Sequence, residues 1–172
     1  GLGDVYKRQA LHYLLLGKVR GNFAVMTSGN VTDEPMCYTE DCARSRLSRI
    51  VDYILVHNRA IVNRVDDSVV RFTDGRPVIL RRARGYVPRW VRLPFRLERE
   101  AVALGADIQS AAAVAFEDKV VLTQYIGELS NGDTISEFLK YLNYFIGVYR
   151  IDRKEATYVV DKHPRYISRA IG

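Results

Sequence analysis

From Ile135 onward the apolar residues Phe138, Leu139, Leu142, Phe145 and Ile146 recur at spacings of three and four, while Lys140 and Asn143 fall on the opposite side. That is the period of a helix with one buried face. Three short β-rich runs precede it, residues 101–104, 111–116 and 120–124, and a fourth, residues 157–160, follows it. An apolar helix face set between strands must pack on their sheet, so the order predicts an α/β fold. Glu117-Asp118 reads as the turn joining the second and third runs, and Thr134 as the residue that caps the helix.

Upstream the β signature is of another kind. Residues 68–72 and 77–81 flank Thr73-Asp74-Gly75-Arg76, and Asp-Gly between two β-rich runs predicts a tight hairpin. Residues 10–16 look helical. Residues 23–26 read as a short buried strand leading to the polar loop Thr27-Ser28-Gly29-Asn30, which then turns at Asp33-Glu34-Pro35. Thr39, followed by Glu40 and Asp41, is a reasonable helix start, with the helix running to about Ser48. Residues 53–56 return as a strand. Residues 88–99 have the Pro- and Arg-rich composition of a connection, which puts a domain boundary near Leu97. No internal repeat or low-complexity tract is evident.

At 172 residues and 48% hydrophobic the chain can build a packed core, and its net charge of +6 favours anionic partners. The charge has a focus. Between Ile61 and Pro88 stand Arg64, Arg71, Arg76, Arg81, Arg82 and Arg84 with no lysine. A guanidinium holds phosphate or carboxylate oxygens through two parallel hydrogen bonds, so the cluster points to anion recognition. Cys37 and Cys42 fit neither a CxxC pair nor half of a common zinc site, and both are expected to be reduced and structural. No apolar stretch approaches the ~18 residues a bilayer crossing needs. Residues 1–9 lack the order of a signal peptide and resemble translated adapter read-through, so they are set aside as a non-native leader. Both ends read as cut, and the expected location is the cytoplasm, away from membranes.

The chemistry-bearing residues are few. Thr27-Ser28-Gly29-Asn30 follows a β-rich run, where hydroxyls, an amide and a glycine-permitted backbone can wrap a ligand's polar atoms or simply close a turn. Asp66-Asp67-Ser68 at the start of the hairpin suits Mg²⁺, an arginine partner or a hairpin cap. Strand alternation puts Arg82 and Arg84 on one face and Arg81 on the other, so they do not share one job. His57 and His163 read as local hydrogen-bonding residues. There is no HxxxH, HExxH, CxxC pair or GxxxxGK[ST].

Several stretches together carry a resemblance. They are Val25-Met26-Thr27-Ser28-Gly29-Asn30 with Glu34-Pro35, the run from His57-Asn58-Arg59 through Asn63-Arg64-Val65-Asp66-Asp67-Ser68, and Leu80-Arg81-Arg82-Ala83-Arg84-Gly85-Tyr86-Val87-Pro88. Ala103-Leu104-Gly105-Ala106, Thr123-Gln124-Tyr125-Ile126-Gly127-Glu128-Leu129, and Asp161 with His163-Pro164-Arg165-Tyr166 continue it. In order and spacing they closely resemble the HypF family of carbamoyltransferases that mature [NiFe]-hydrogenases. The resemblance covers essentially everything after Gln9. It implies that residues 10–96 are the C-terminal part of a YrdC-like α/β twisted sheet. Residues 97–172 would then be the first hairpin and helix of an actin-like ATPase-type domain.

The resemblance also implies chemistry. Carbamoyl phosphate is hydrolysed to carbamate, ATP with Mg²⁺ activates it as carbamoyl-adenylate, and the carbamoyl group passes to the C-terminal cysteine of a HypE-type maturation partner. There it becomes the cyanide ligand of the hydrogenase iron. Thr27, Ser28 and Asn30 would line the adenylate pocket, Ser68 would approach the phosphate or carbamate, Arg81 would bind the phosphate end, and Arg64 would assist. Zinc or iron is expected only in parts of the family's proteins outside this stretch. One departure stands out: where the family reads Lys-Asn-Thr, Ile108 is followed by Gln109-Ser110-Ala111, which bears on phosphate contacts by this first hairpin.

Two other readings compete with the enzyme. The basic stretch of residues 59–99, interleaved with Phe72, Tyr86, Trp90 and Phe95, suits a non-catalytic module that binds double-stranded RNA. A folded interaction domain without catalysis is the third. Residues 10–96 alone, half of a sheet with open strand edges, are not expected to fold.

Overall fold

The structure, a computed structural model, describes residues 10–31 and 34–172. The leader at residues 1–9 and the turn position Asp33 lie outside these residues. Helix α1 spans Ala10–Leu16. Helix α2 spans Glu40–Cys42 and continues as a π-helical turn, Ala43–Leu47. Thr39 caps it as anticipated, its side chain accepting from the Cys42 amide at 3.3 Å.

The hairpin forms as its sequence requires. Strands β1 (Val69–Thr73) and β2 (Arg76–Arg81) pair antiparallel around a two-residue turn. Asp74 and Gly75 both adopt positive φ, 50° and 72°. Such a turn twists in the same sense as the strands it joins, and Asp and Gly tolerate it best.

The second sheet is the structural centre. Its strands β3 (Trp90–Arg92), β4 (Ala101–Ala103), β5 (Ala113–Phe116), β6 (Lys119–Leu122) and β7 (Thr157–Val159) are ordered β3-β6-β5-β4-β7. All neighbours are antiparallel except β4 and β7, since the chain reaches β7 through the crossover helix α3 (Gly132–Val148). Val102, Val114 and Val121 sit side by side in register on neighbouring strands and are fully buried. Phe138, Leu142, Phe145 and Ile146 of α3 join them in one core. Each such side chain contributes roughly 1.5–3 kcal/mol of burial. A last helix, α4 (Ile167–Ile171), receives its first amides on Asp107, from Ile167 at 2.7 Å and Ser168 at 2.9 Å.

Several expectations are corrected. Residues 23–26 and 53–56 are not strands, and Phe23, Val25, Met26, Tyr53 and Leu55 are exposed. An apolar run becomes a strand only where a neighbour offers backbone partners, and none of the described residues does so here. The connection after Pro88 contains β3, an edge strand held by β6. The α3 cap is Asn131, whose side chain accepts from the Thr134 amide at 2.9 Å, and Thr134 lies inside the helix. Cys37 and Cys42 are not free thiols but a disulfide. The turn into the Thr39-capped helix brings their Cα atoms to 5.5 Å, within bridging range. No helix among the described residues is long and apolar enough to cross a membrane.

Candidate functional site

A cleft of about 370 Å³ opens where the hairpin base meets the loop after β6. Its walls come from both sides of the expected boundary: Ser28, Asn30, Arg64, Asp66 and Arg81 from one, Gln109, Tyr125, Gly127 and Glu128 from the other.

Arg64 is the most constrained of these residues. It is only 3% exposed, and its Nη2 donates to the Ile126 carbonyl at 3.4 Å. Its own carbonyl accepts from the Tyr141 hydroxyl at 2.9 Å and from Gln124 Nε2. Burial pushes the Tyr141 phenol above its ordinary range, so it stays protonated and donates. Among the described residues no carboxylate forms an ion pair with Arg64. A buried cation without a counter-ion is costly, and an anion in the cleft would relieve that cost.

Arg81 ends β2 at the rim, its Cζ lying 4.6 Å from the centroid of the Tyr125 ring. It too has no ion pair with a described carboxylate. Its neighbours Arg82 and Arg84 lie beyond the end of β2, so strand alternation does not place them, and they have other work. Arg82 Nη2 donates to the Arg89 carbonyl at 3.1 Å. Arg84 donates to the Val65 carbonyl at 3.2 Å and faces Asp67 at 3.7 Å.

The polar loop forms a closed turn at the cleft edge. Asn30 Nδ2 donates to the carbonyls of Val31 and Glu34, each at 3.0 Å, and the Cys37 amide donates to the Gly29 carbonyl at 3.0 Å. Arg46 fastens this turn across the boundary, binding Glu34 at 2.7 Å and Asp133 at the start of α3. Those two carboxylates, Asp133 foremost, hold the Arg46 guanidinium above its ordinary range.

The six sequence candidates therefore divide. Ser28, Asn30, Arg64 and Arg81 converge on the cleft, whereas Thr27 and Ser68 do not line it. The Ser68 hydroxyl donates to the Arg84 carbonyl at 2.9 Å and accepts from the Ala83 amide at 2.8 Å, clipping the hairpin base. His57 and His163 make local bonds, each Nδ1 accepting from the amide two residues on. Residue-level reading did not single out Gln109, Tyr125, Gly127 or Glu128 for the site. The signal available was the polar, glycine-containing stretch that follows β6, the usual place for a ligand at a strand end.

Comparison with known proteins covers both parts of the chain. Residues 7–83 match the Sua5/YciO/YrdC family model described as telomere recombination, and residues 96–172 match the HypF Kae1-like domain. Carbamoyltransferase HypF of Synechocystis sp. is 37% identical over 158 residues, which is 92% of this chain and 20% of that protein. Probable carbamoyltransferase HypF of Methanocaldococcus jannaschii is 37% identical over 167 residues, 97% of this chain and 21% of that one. The crystal structure of full-length HypF in its phosphate- and nucleotide-bound form superposes with a TM-score of 0.82 at 32% identity, covering 94% of this chain and 25% of that one. The chain thus spans about a fifth of the length of the curated relatives it matches.

Proposed function

Because this chain belongs to the HypF carbamoyltransferase family, we propose that its cleft holds the phosphates of ATP while carbamate is converted to carbamoyl-adenylate. The observation that carries this reading is the convergence of two arginines, one of them buried and neither ion-paired with a described carboxylate, beside the Ser28–Asn30 turn. A full-length relative has been crystallised with phosphate and nucleotide bound, which supports the same ligand class.

In the reaction a carbamate oxygen bonds to the α-phosphorus and pyrophosphate leaves. Negative charge shifts onto the phosphoryl oxygens as this happens. Guanidiniums already fixed in place stabilise that charge without reorganising, which lowers the barrier more than it tightens ground-state binding. Arg81 at the rim takes the phosphate end and Arg64 supplies the buried positive charge. Ser28 and Asn30 contact the adenylate, with Thr27 supporting the loop's approach. Ser68 acts by keeping the hairpin base closed next to Arg81. Asp66 lines the same cleft and would be the residue to hold Mg²⁺ arriving with ATP, where the ion would neutralise phosphate charge. In the complete protein the carbamoyl group would then pass to the C-terminal cysteine of a HypE-type partner, as the precursor of a cyanide ligand for [NiFe]-hydrogenase.

The RNA-binding alternative has less support, because three arginines of the basic stretch face carboxylates of this same chain. Arg92 pairs with Asp118 at 3.0 Å, Arg96 with Glu117 at 3.4 Å, and Arg84 faces Asp67. The test is carbamoyl-phosphate-dependent ATP–pyrophosphate exchange in a chimera in which this chain replaces the matching segment of the Synechocystis relative. Arg81→Ala is expected to lower exchange at least ~100-fold, the scale of losing one fixed donor to a developing oxyanion. Unchanged exchange in Arg81→Ala and Asn30→Ala would overturn the reading.

A further inference from the structure

Three consecutive residues beyond β6 hold both candidate arginines. Gln124 donates to the Arg64 carbonyl, Ile126 accepts from the Arg64 guanidinium at 3.4 Å, and between them the Tyr125 ring lies 4.6 Å from Arg81 Cζ. The backbone tightens the arrangement, since the Tyr125 amide donates to the Arg82 carbonyl at 2.9 Å. These contacts span the boundary between two stretches that match separate family models.

We propose that Gln124-Tyr125-Ile126 is the positioning element of the arginine pair, and that Tyr125 is a positioning residue acting through Arg81. An arginine at a strand end has several rotatable bonds, and no described carboxylate pairs with Arg81 to fix its head. An aromatic face beneath the guanidinium restricts it to a plane while leaving its N–H edge free for phosphate oxygens. The phenol oxygen is not required, because the attraction comes from the ring. The first stretch therefore supplies the cations and the second sets their geometry.

The inference rests on the cleft being an ATP-phosphate site, and the experiment separates the two claims. ATP affinity is measured by calorimetry on the full chain carrying Tyr125→Phe, Tyr125→Leu, Arg81→Ala, and Arg81→Ala combined with Tyr125→Leu. Expected are near-normal affinity for Tyr125→Phe, a loss of roughly 3- to 10-fold for Tyr125→Leu, and no further loss from Tyr125→Leu once Arg81 is alanine. Additive losses, or equal losses in the Phe and Leu variants, would overturn the positioning role while leaving the ATP site standing. No loss in Arg81→Ala would overturn the ATP site itself. In that case the Arg81 Nε–H resonance still decides the positioning role. A ring-current shift present in wild type and Tyr125→Phe and absent in Tyr125→Leu supports it, and an unaltered resonance in Tyr125→Leu refutes it.

Discussion

Residues 10–60 and residues 101–151 are both rich in apolar residues, yet they end in opposite states. In the later region Val102, Val114 and Val121 line up across three strands beneath α3, and every buried residue of the main core cluster lies between Val102 and Ile151. In the earlier one Leu14, Phe23, Val25, Tyr53 and Leu55 are exposed. The difference teaches that hydrophobic pattern specifies a strand only in company. β5 and β6 bring their own partner through a two-residue turn, whereas residues 23–26 and 53–56 have no neighbouring strand among the described residues. Among the described residues the earlier region is fastened by the Cys37–Cys42 bridge and by Arg46 across Glu34 and Asp133, and just beyond it Tyr141 and Gln124 hold the Arg64 carbonyl.

The largest test of this contrast compares two truncations. Phe138→Ala removes a fully buried ring and is expected to cost about 3–5 kcal/mol in urea denaturation. Val25→Ala, at a side chain 95% exposed, is expected to change stability by no more than about 0.5 kcal/mol. Equal costs would break the comparison. Reducing the Cys37–Cys42 bridge should weaken the earlier region by about 2 kcal/mol, read as faster amide exchange around residues 34–47. Exchange in β4, β5 and α3 should not change. Tyr141→Phe deletes one hydrogen bond to Arg64 and should cost about 1 kcal/mol, with faster exchange near Arg64 as its signature.

Much of this was legible before the structure. Asp74-Gly75 announced its hairpin, because few residue pairs accept two positive φ angles in succession. The three-and-four spacing after Ile135 announced α3, because a repeated spacing averages over single-residue ambiguity. Ends and partners were harder. Asn131 and Thr134 are both competent caps, and only the backbone path selects the first. Trp90 to Arg92 is too short to show a period, and β6 makes it a strand. The cleft was half visible: arginine chemistry marked a cluster of six and the family resemblance picked Arg64 and Arg81 from it, but the contacts from Gln124, Tyr125 and Tyr141 join residues some 44 to 77 positions apart, as seen for Arg81 with Tyr125 and Arg64 with Tyr141. No local pattern encodes such separations.

The smallest effect concerns acid. At the β5–β6 turn the Lys119 hydrogen bond, with help from Arg96, holds the Glu117 carboxyl below its ordinary 4.5. A depressed carboxyl stabilises the fold above its unfolded pKa, and the contribution is lost as pH falls through the lower folded value. Below pH 4.5 the Lys119→Met variant should therefore lose less stability with falling pH than the parent chain. Parallel losses would show that this pair adds nothing to the later region.

The most direct measurement is a titration of the ¹⁵N-labelled full chain with ATP, followed by backbone amide shifts. The account predicts one saturable set of changes at Gly29, Asn30, Arg64, Arg81, Gln109 and Gly127, from both sides of the boundary. Shifts confined to one side, or spread along the basic stretch of residues 89–99, would contradict it.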